Sequence, residues 1–192
     1  MKDRLLLIVG VFALSCVIGP LLDQIHVIGG ALSYAHPWLL GQAWWVGPQF
    51  GLAFAFICAV SLAAQHRYGS EVLSPTHAAR IGQQIIWFLA AYLATGILWE
   101  RPWLLAALLA AGLVVRVLSV RPDRLTIVSL LVLALAGSLY EAIVSSLPET
   151  FDYTLTGVLP VPIWLPLLYM HGAPLLRTFA KDATVALTRA PA

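Results

Sequence analysis

Charge is what this sequence has least of. Asp, Glu, Lys and Arg together make 10% of the 192 residues, against about 25% in a typical soluble domain. Hydrophobic residues make 60%. That balance excludes an ordinary water-soluble globule and points to lipid as the solvent. Cysteine is nearly missing. Cys16 and Cys58 both lie inside apolar runs and read as buried free thiols, not as a disulfide or a metal site. Catalytic motifs are missing as well: no HExxH, CxxC, GxSxG or Gly-rich phosphate loop occurs, so no catalytic residue is named. The net charge is +2 and no basic stripe forms, which excludes a nucleic-acid partner.

What the chain does have is long apolar runs. A membrane helix needs about 20 apolar residues, because only a helix or a closed barrel satisfies its backbone in hydrocarbon. The runs do not alternate with period two, which argues against a barrel. They fall at residues 5–22, 44–64, 81–99, 103–120, 125–144 and 162–180. The expectation is an all-α, polytopic membrane protein: one domain over residues 1–192, built as a six-transmembrane-helix bundle. The first run follows Lys2 and Arg4 as a signal peptide would, but it is too long for an h-region and reads as an uncleaved helix. Residues 23–42 read as a half-polar loop, and Pro75 as a breaker between the second and third runs. Gly47 and Gly51 form a GxxxG pair suited to close helix approach.

Six crossings divide the charges. Ten of the eleven Lys and Arg fall on the side of the termini, and only Arg101 falls opposite. Positive charge is retained in the cytoplasm, so both termini are expected there. Glu149 and Asp152 then lie outside. His26 and His36 share one side, and His66 and His77 the other. That excludes a four-histidine metal site and leaves a weak two-histidine alternative. Arg116, near the end of its run, is expected to snorkel.

Residues 140–166 hold the sharpest polar features. Glu141 is an acid in an apolar segment, where a charge costs about 2.5–3.5 kcal/mol on insertion scales. It is either a polar anchor in a lipid or substrate pocket or an interfacial acid at a helix end. Gln83 carries the same two readings, and Trp87 shares its helix face at i,i+4. Pro160, Pro162 and Pro166 either cap the last helix or kink it, and Pro174 adds a further kink.

Ala43-Trp44-Trp45-Val46-Gly47-Pro48 resembles the AWWVPP signature that opens the second helix of Insig proteins. Tyr153-Thr154, then Trp164-Leu165-Pro166 after nine intervening residues, resembles the YT…WLP pattern that leads into their sixth helix. The resemblance covers residues 4 to 180. It implies a non-enzymatic lipid sensor, since animal Insigs bind oxysterols within the bundle and retain Scap in the endoplasmic reticulum. Glu141 falls where the family carries a glutamine. Trp103, Arg116 and Val120 stand where the family has a sterol-linked glutamine, a tryptophan and a Scap-facing aspartate, and Asp123 is near the last. At these positions the residues linked to sterol specificity and to a Scap-like partner are not matched, so the resemblance implies neither by itself.

The resulting expectation is a pocket between helices for an amphipathic lipid, sterol-like or diacylglycerol-like. Gln83 and Glu141 would be its polar contacts, with Trp87 and Trp164 as walls. No metal and no cofactor beyond the bound lipid are expected. The expected partners are membrane lipid and either a homo-oligomer or another membrane protein. The alanine-rich, cysteine-poor composition points to a bacterial inner membrane. The alternatives are a small transporter, or a scaffold acting through the Gly47 and Gly51 face.

Overall fold

A computed structural model describes residues 2–69, 78–120 and 122–189. The expectations on Pro75, His77 and Arg121 lie outside the described residues. The described residues fold as six helices: α1 Lys2–Gly29, α2 Val46–Tyr68, α3 Ala78–Leu98, α4 Pro102–Val120, α5 Arg124–Ser145 and α6 Leu165–Arg189. A pair of three-residue strands, β1 Leu32–Tyr34 and β2 Phe151–Tyr153, joins them. The outer surface is apolar, with Leu5, Leu14, Phe56, Ile97 and Leu135 among many exposed large side chains. Five of the helices, α1 to α5, are long and apolar enough to cross a bilayer. The chain is a multi-pass, all-α membrane protein.

α6 is not among those five. It packs against α2, α3, α4 and α5, so protein surrounds much of it. A helix in that position tolerates His171, Arg177, Lys181 and Asp182, which a lipid-facing helix would not. Pro160 and Pro162 precede α6 and Pro166 sits in its first turn, where no intrahelical donor is lost. Pro174 lies inside the helix.

α1 runs past the expected residue 22. Its polar residues do not end it, because they face protein: Asp23 and His26 are buried. The helix stops at Gly29–Gly30. Gly30 has φ +81°, its N–H donates to the Val27 carbonyl at 3.2 Å, and Ala31 N–H donates to the His26 carbonyl at 2.9 Å. That is a Schellman cap, which needs a left-handed residue and therefore favours glycine.

The two strands were not expected from sequence. They pair antiparallel, with Leu32 opposite Tyr153 and Tyr34 opposite Phe151. Thr154 N–H donates to the Ala31 carbonyl at 3.0 Å and extends the ladder. The pair ties the loop after α1 to the loop after α5. Beneath it lies the main core, with Phe151, Tyr153, Val161, Trp164, Leu165 and Leu105 buried together. The GxxxG face is used inside the chain. A Cβ on Gly51 would sit 2.5 Å from Cys16 Sγ, and one on Gly47 would sit 3.0 Å from the Cys16 carbonyl oxygen. Both glycines therefore serve the α1–α2 contact. Cys16 and Cys58 are free thiols.

Candidate functional site

At the end of the bundle away from the strands, α4 carries Arg116 one turn from its C-terminus. The expected snorkel does not occur. Arg116 turns inward and is 5% exposed. Its Nη1 donates to His171 Nδ1 at 3.2 Å and to the His171 carbonyl oxygen at 3.0 Å. Its Nη2 donates to Gln84 Oε1. His171 Nε2 lies 3.0 Å from the Leu109 carbonyl, which can only accept. Nε2 must then carry the proton, and Nδ1 is left free to accept from Arg116. The guanidinium also lies 5.8 Å from the centre of the Trp87 ring, which stacks on His171. Every hydrogen-bond partner of Arg116 is neutral, and among the described residues no carboxylate lies within 4 Å of it.

Two cavities flank this group. The larger, about 200 Å³, lies between α3, α4, α5 and α6. Leu113, Val117, Leu130 and Pro174 supply apolar wall, while Arg80, Gln84, Arg116, Arg177 and Lys181 supply polar groups. Pro174 thus borders space beside a helix, as a residue without a backbone donor can. The smaller cavity, about 40 Å³, is lined by Gln83, Gln84, Trp87, Val115, Arg116 and Ser119. Gln84 and Arg116 line both.

Arg177 on α6 is also buried, at 7% exposed. Its Nη2 donates to Gln65 Oε1 at 2.7 Å and lies 3.9 Å from Asp123 Oδ2. Its Nε has no hydrogen-bond partner among the described residues. Asp123 is the N-cap of α5 and accepts from Thr126 N–H at 2.7 Å and Thr126 Oγ1 at 2.6 Å. Partial burial works against its charge, but the Thr126 hydrogen bonds, Arg177 and Lys181 outweigh it and hold the carboxyl below its ordinary value.

The strand end holds a different polar network. Glu141 Oε2 accepts from the Tyr153 hydroxyl and Oε1 from the Tyr169 hydroxyl. The carboxylate thereby joins α5, β2 and α6. Asp23 Oδ2 accepts from the Tyr34 hydroxyl at 2.7 Å and from Gln42 Nε2 at 3.2 Å. Thr95 donates its hydroxyl to the Tyr92 carbonyl at 2.7 Å, so at 2.8 Å it can only accept from His26 Nε2. Burial and the neighbouring Asp23 carboxylate push the Tyr34 phenol well up. Burial and Glu141 do the same for Tyr153. Both hydroxyls stay donors across the accessible pH range.

The four residues expected to line a site divide into two pairs. Gln83 and Trp87 border the smaller cavity. Glu141 and Trp164 lie at the strand end, linked through Tyr153, whose ring meets Trp164 edge-on at 6.2 Å. The helical rise between residue levels puts the pairs roughly 10–15 Å apart along the bundle. Gln83 itself is exposed, while Gln84 is the buried amide. Sequence reasoning missed Gln84, His171 and Arg177, and misread Arg116. The available signal was polar residues inside otherwise apolar runs, at one depth on three helices. His26 and His36 do not meet: His26 is bonded to Thr95, and exposed His36 lies 3.4 Å from Glu149.

No protein-family model matches the sequence. No curated protein matches it in sequence either. Solved structures do match the fold. A crystal structure of MvINS, a mycobacterial Insig homologue from Mycobacterium vanbaalenii, superposes with a TM-score of 0.76 at 19% identity, covering 100% of this chain and 97% of that one. A cross-linked MvINS trimer superposes with a TM-score of 0.76 at 20% identity and the same coverage. Over its full length, this chain has the fold of a bacterial Insig homologue.

Proposed function

We propose that this protein is a non-enzymatic, Insig-like membrane protein that binds an amphipathic lipid between its helices and acts as a sensor or regulator. The observation that carries this reading is the cavity of about 200 Å³ between α3, α4, α5 and α6. Its wall is part hydrocarbon and part polar, which suits a ligand with an apolar body and one polar head. Gln83 and Trp87 flank the head region across the Arg116–Gln84 pair. Glu141 and Trp164, in this reading, close the strand end and hold the bundle in shape.

In this reading α6 crosses the membrane with the other five helices, both termini are cytoplasmic, and the membrane is a bacterial inner membrane. The distribution of Lys and Arg supports that orientation. The cross-linked MvINS trimer makes self-association the preferred partner reading, which native mass spectrometry of the purified protein tests. Burial of the Gly47 and Gly51 face against α1 disfavours a scaffold acting through it.

Lipid mass spectrometry on detergent-purified protein is the direct test of lipid binding. One stoichiometric co-purifying species is the expected result. Absence of any bound lipid, with the protein folded and able to exchange into lipid, would refute it.

A further inference from the structure

We propose that the cavity between α3, α4, α5 and α6 receives the phosphate of an anionic lipid headgroup, with Arg116 and Arg177 as its buried ligands and Arg80 and Lys181 at its mouth. This rests on the lipid-binding reading and specifies the head.

Among the described residues, four cations line the cavity, Arg80, Arg116, Arg177 and Lys181, against a single carboxylate, Asp123. That carboxylate is already committed. Its Oδ1 caps α5 through Thr126, and its Oδ2 stands 3.9 Å from Arg177, beyond hydrogen-bond length. Among the described residues, Arg116 is held by a histidine nitrogen, a backbone carbonyl and an amide oxygen. Those dipoles orient the guanidinium but do not neutralise it. A buried charge without a counter-charge is unfavourable, because the interior does not replace the solvation that the charge loses. A bound anion removes that penalty.

Arg177 shows the same incompleteness, with Nε unpartnered among the described residues although the side chain is nine-tenths buried. Guanidinium groups match phosphate oxygens in pairs of parallel hydrogen bonds. The space is sufficient: about 200 Å³, against the roughly 10–15 Å³ that a single water needs. Leu113, Val117 and Leu130 continue the wall as hydrocarbon, so acyl chains can leave toward the bilayer. A neutral head, such as a free hydroxyl, would leave the Arg116 guanidinium without a counter-charge and would give Arg177, which shares Asp123 at 3.9 Å, no further one. Arg80 lies in the first turn of α3, Arg116 lies one turn from the end of α4, and Arg177, midway along α6, faces Asp123 at the start of α5; the cations thus gather at the end of α3, α4 and α5 away from the strands, which is the depth of a headgroup and not of the bilayer centre.

The test uses the full chain in neutral detergent and measures binding of three probes by native mass spectrometry. They are dioleoyl phosphatidate, dioleoylglycerol with the same chains, and soluble glycerol 3-phosphate. Phosphatidate is expected to bind at least tenfold tighter than either of the others. Arg177→Gln should weaken phosphatidate at least tenfold and leave dioleoylglycerol unchanged, and Arg177→Lys should restore part of the loss. Equal binding of the two lipids, or a preference that survives Arg177→Gln, would overturn the anionic headgroup while the lipid-binding reading stood. Failure of both lipids to bind a folded protein would instead overturn the lipid-binding reading. Glycerol 3-phosphate binding as tightly as phosphatidate would overturn the lipid as source of the phosphate. Should Arg177→Gln fail to fold, Arg80→Gln and Lys181→Gln at the mouth are each expected to weaken phosphatidate about threefold, and no change in either would overturn the proposal.

Discussion

Gly29→Ala should separate α1 from α3. A Cβ on Gly29 would lie 2.2 Å from the Gly96 carbonyl oxygen and 3.1 Å from its carbon. Nothing at that contact is a side chain that can rotate away, because the obstacle is backbone. Relief requires the helices to part by roughly 1 Å, and gaps of that size forfeit a quarter to a half of each dispersion contact. Overpacking of this kind destabilises by about 1–3 kcal/mol. The Gly29 carbonyl also accepts from Trp99 Nε1 at 2.6 Å, and losing that bond adds about 1 kcal/mol. The expected total is about 2–4 kcal/mol. Titration with dodecyl sulfate in mixed micelles, followed by circular dichroism, measures it. Gly10→Ala is the control: its Cβ would meet nothing within 4 Å, and the gain in helix propensity is at most about 1 kcal/mol. If Gly29→Ala unfolds at the same detergent fraction as Gly10→Ala, the close approach of α1 and α3 is wrong.

Three further outcomes are expected. Tyr153→Phe and Tyr169→Phe should each destabilise by about 1.5–3 kcal/mol, because each removes a donor to a carboxylate. In a double-mutant cycle with Glu141→Gln each should couple to Glu141, and additive effects would deny the contacts. Asp123→Asn should flatten the acid limb of stability. A carboxyl held below its ordinary value of 3.8 contributes stability above that pH and loses it as pH falls through the lowered folded value. An unchanged acid limb in stability-versus-pH curves would remove Asp123 as the cause. Gln84→Leu should lower stability by about 1–3 kcal/mol by leaving Arg116 short of an acceptor, while Gln83→Leu on the exposed neighbour stays within about 0.5 kcal/mol. The same dodecyl sulfate titration distinguishes them, and equal effects would place the wrong glutamine inside.

Much of the fold was legible because membrane helices announce themselves locally. α4 and α5 lie within a residue or so of the expected 103–120 and 125–144. The misses have specific causes. The apolar run ends at residue 22 because a polar residue after it looks like the start of a loop, yet Asp23 is satisfied by Tyr34 and Gln42 from outside its own helix. The strands escaped notice because three-residue segments separated by more than a hundred residues carry no periodic signal. Pro174, read from sequence as a further kink, lies inside α6 and borders the larger cavity. Arg116 was misread because nearness to a helix end permits snorkelling, and only a neighbouring helix bearing His171 makes the inward path better.

By itself, then, the sequence determined the solvent, the helical architecture and the approximate helix limits. Those follow from the length of apolar runs and from the need to satisfy the backbone in hydrocarbon, both readable along one chain. Which polar residues face inward was decided by the tertiary structure alone. Gln83 and Gln84 are adjacent and chemically identical, yet successive helical residues point about 100° apart. The rotation of α3 against α4 and α6 buries one against Arg116 and leaves the other exposed. The same packing gathers Arg80, Arg116, Arg177 and Lys181, from three helices, around one cavity that has, among the described residues, a single carboxylate, Asp123. Hydropathy counts such charges but carries no information on where their side chains meet.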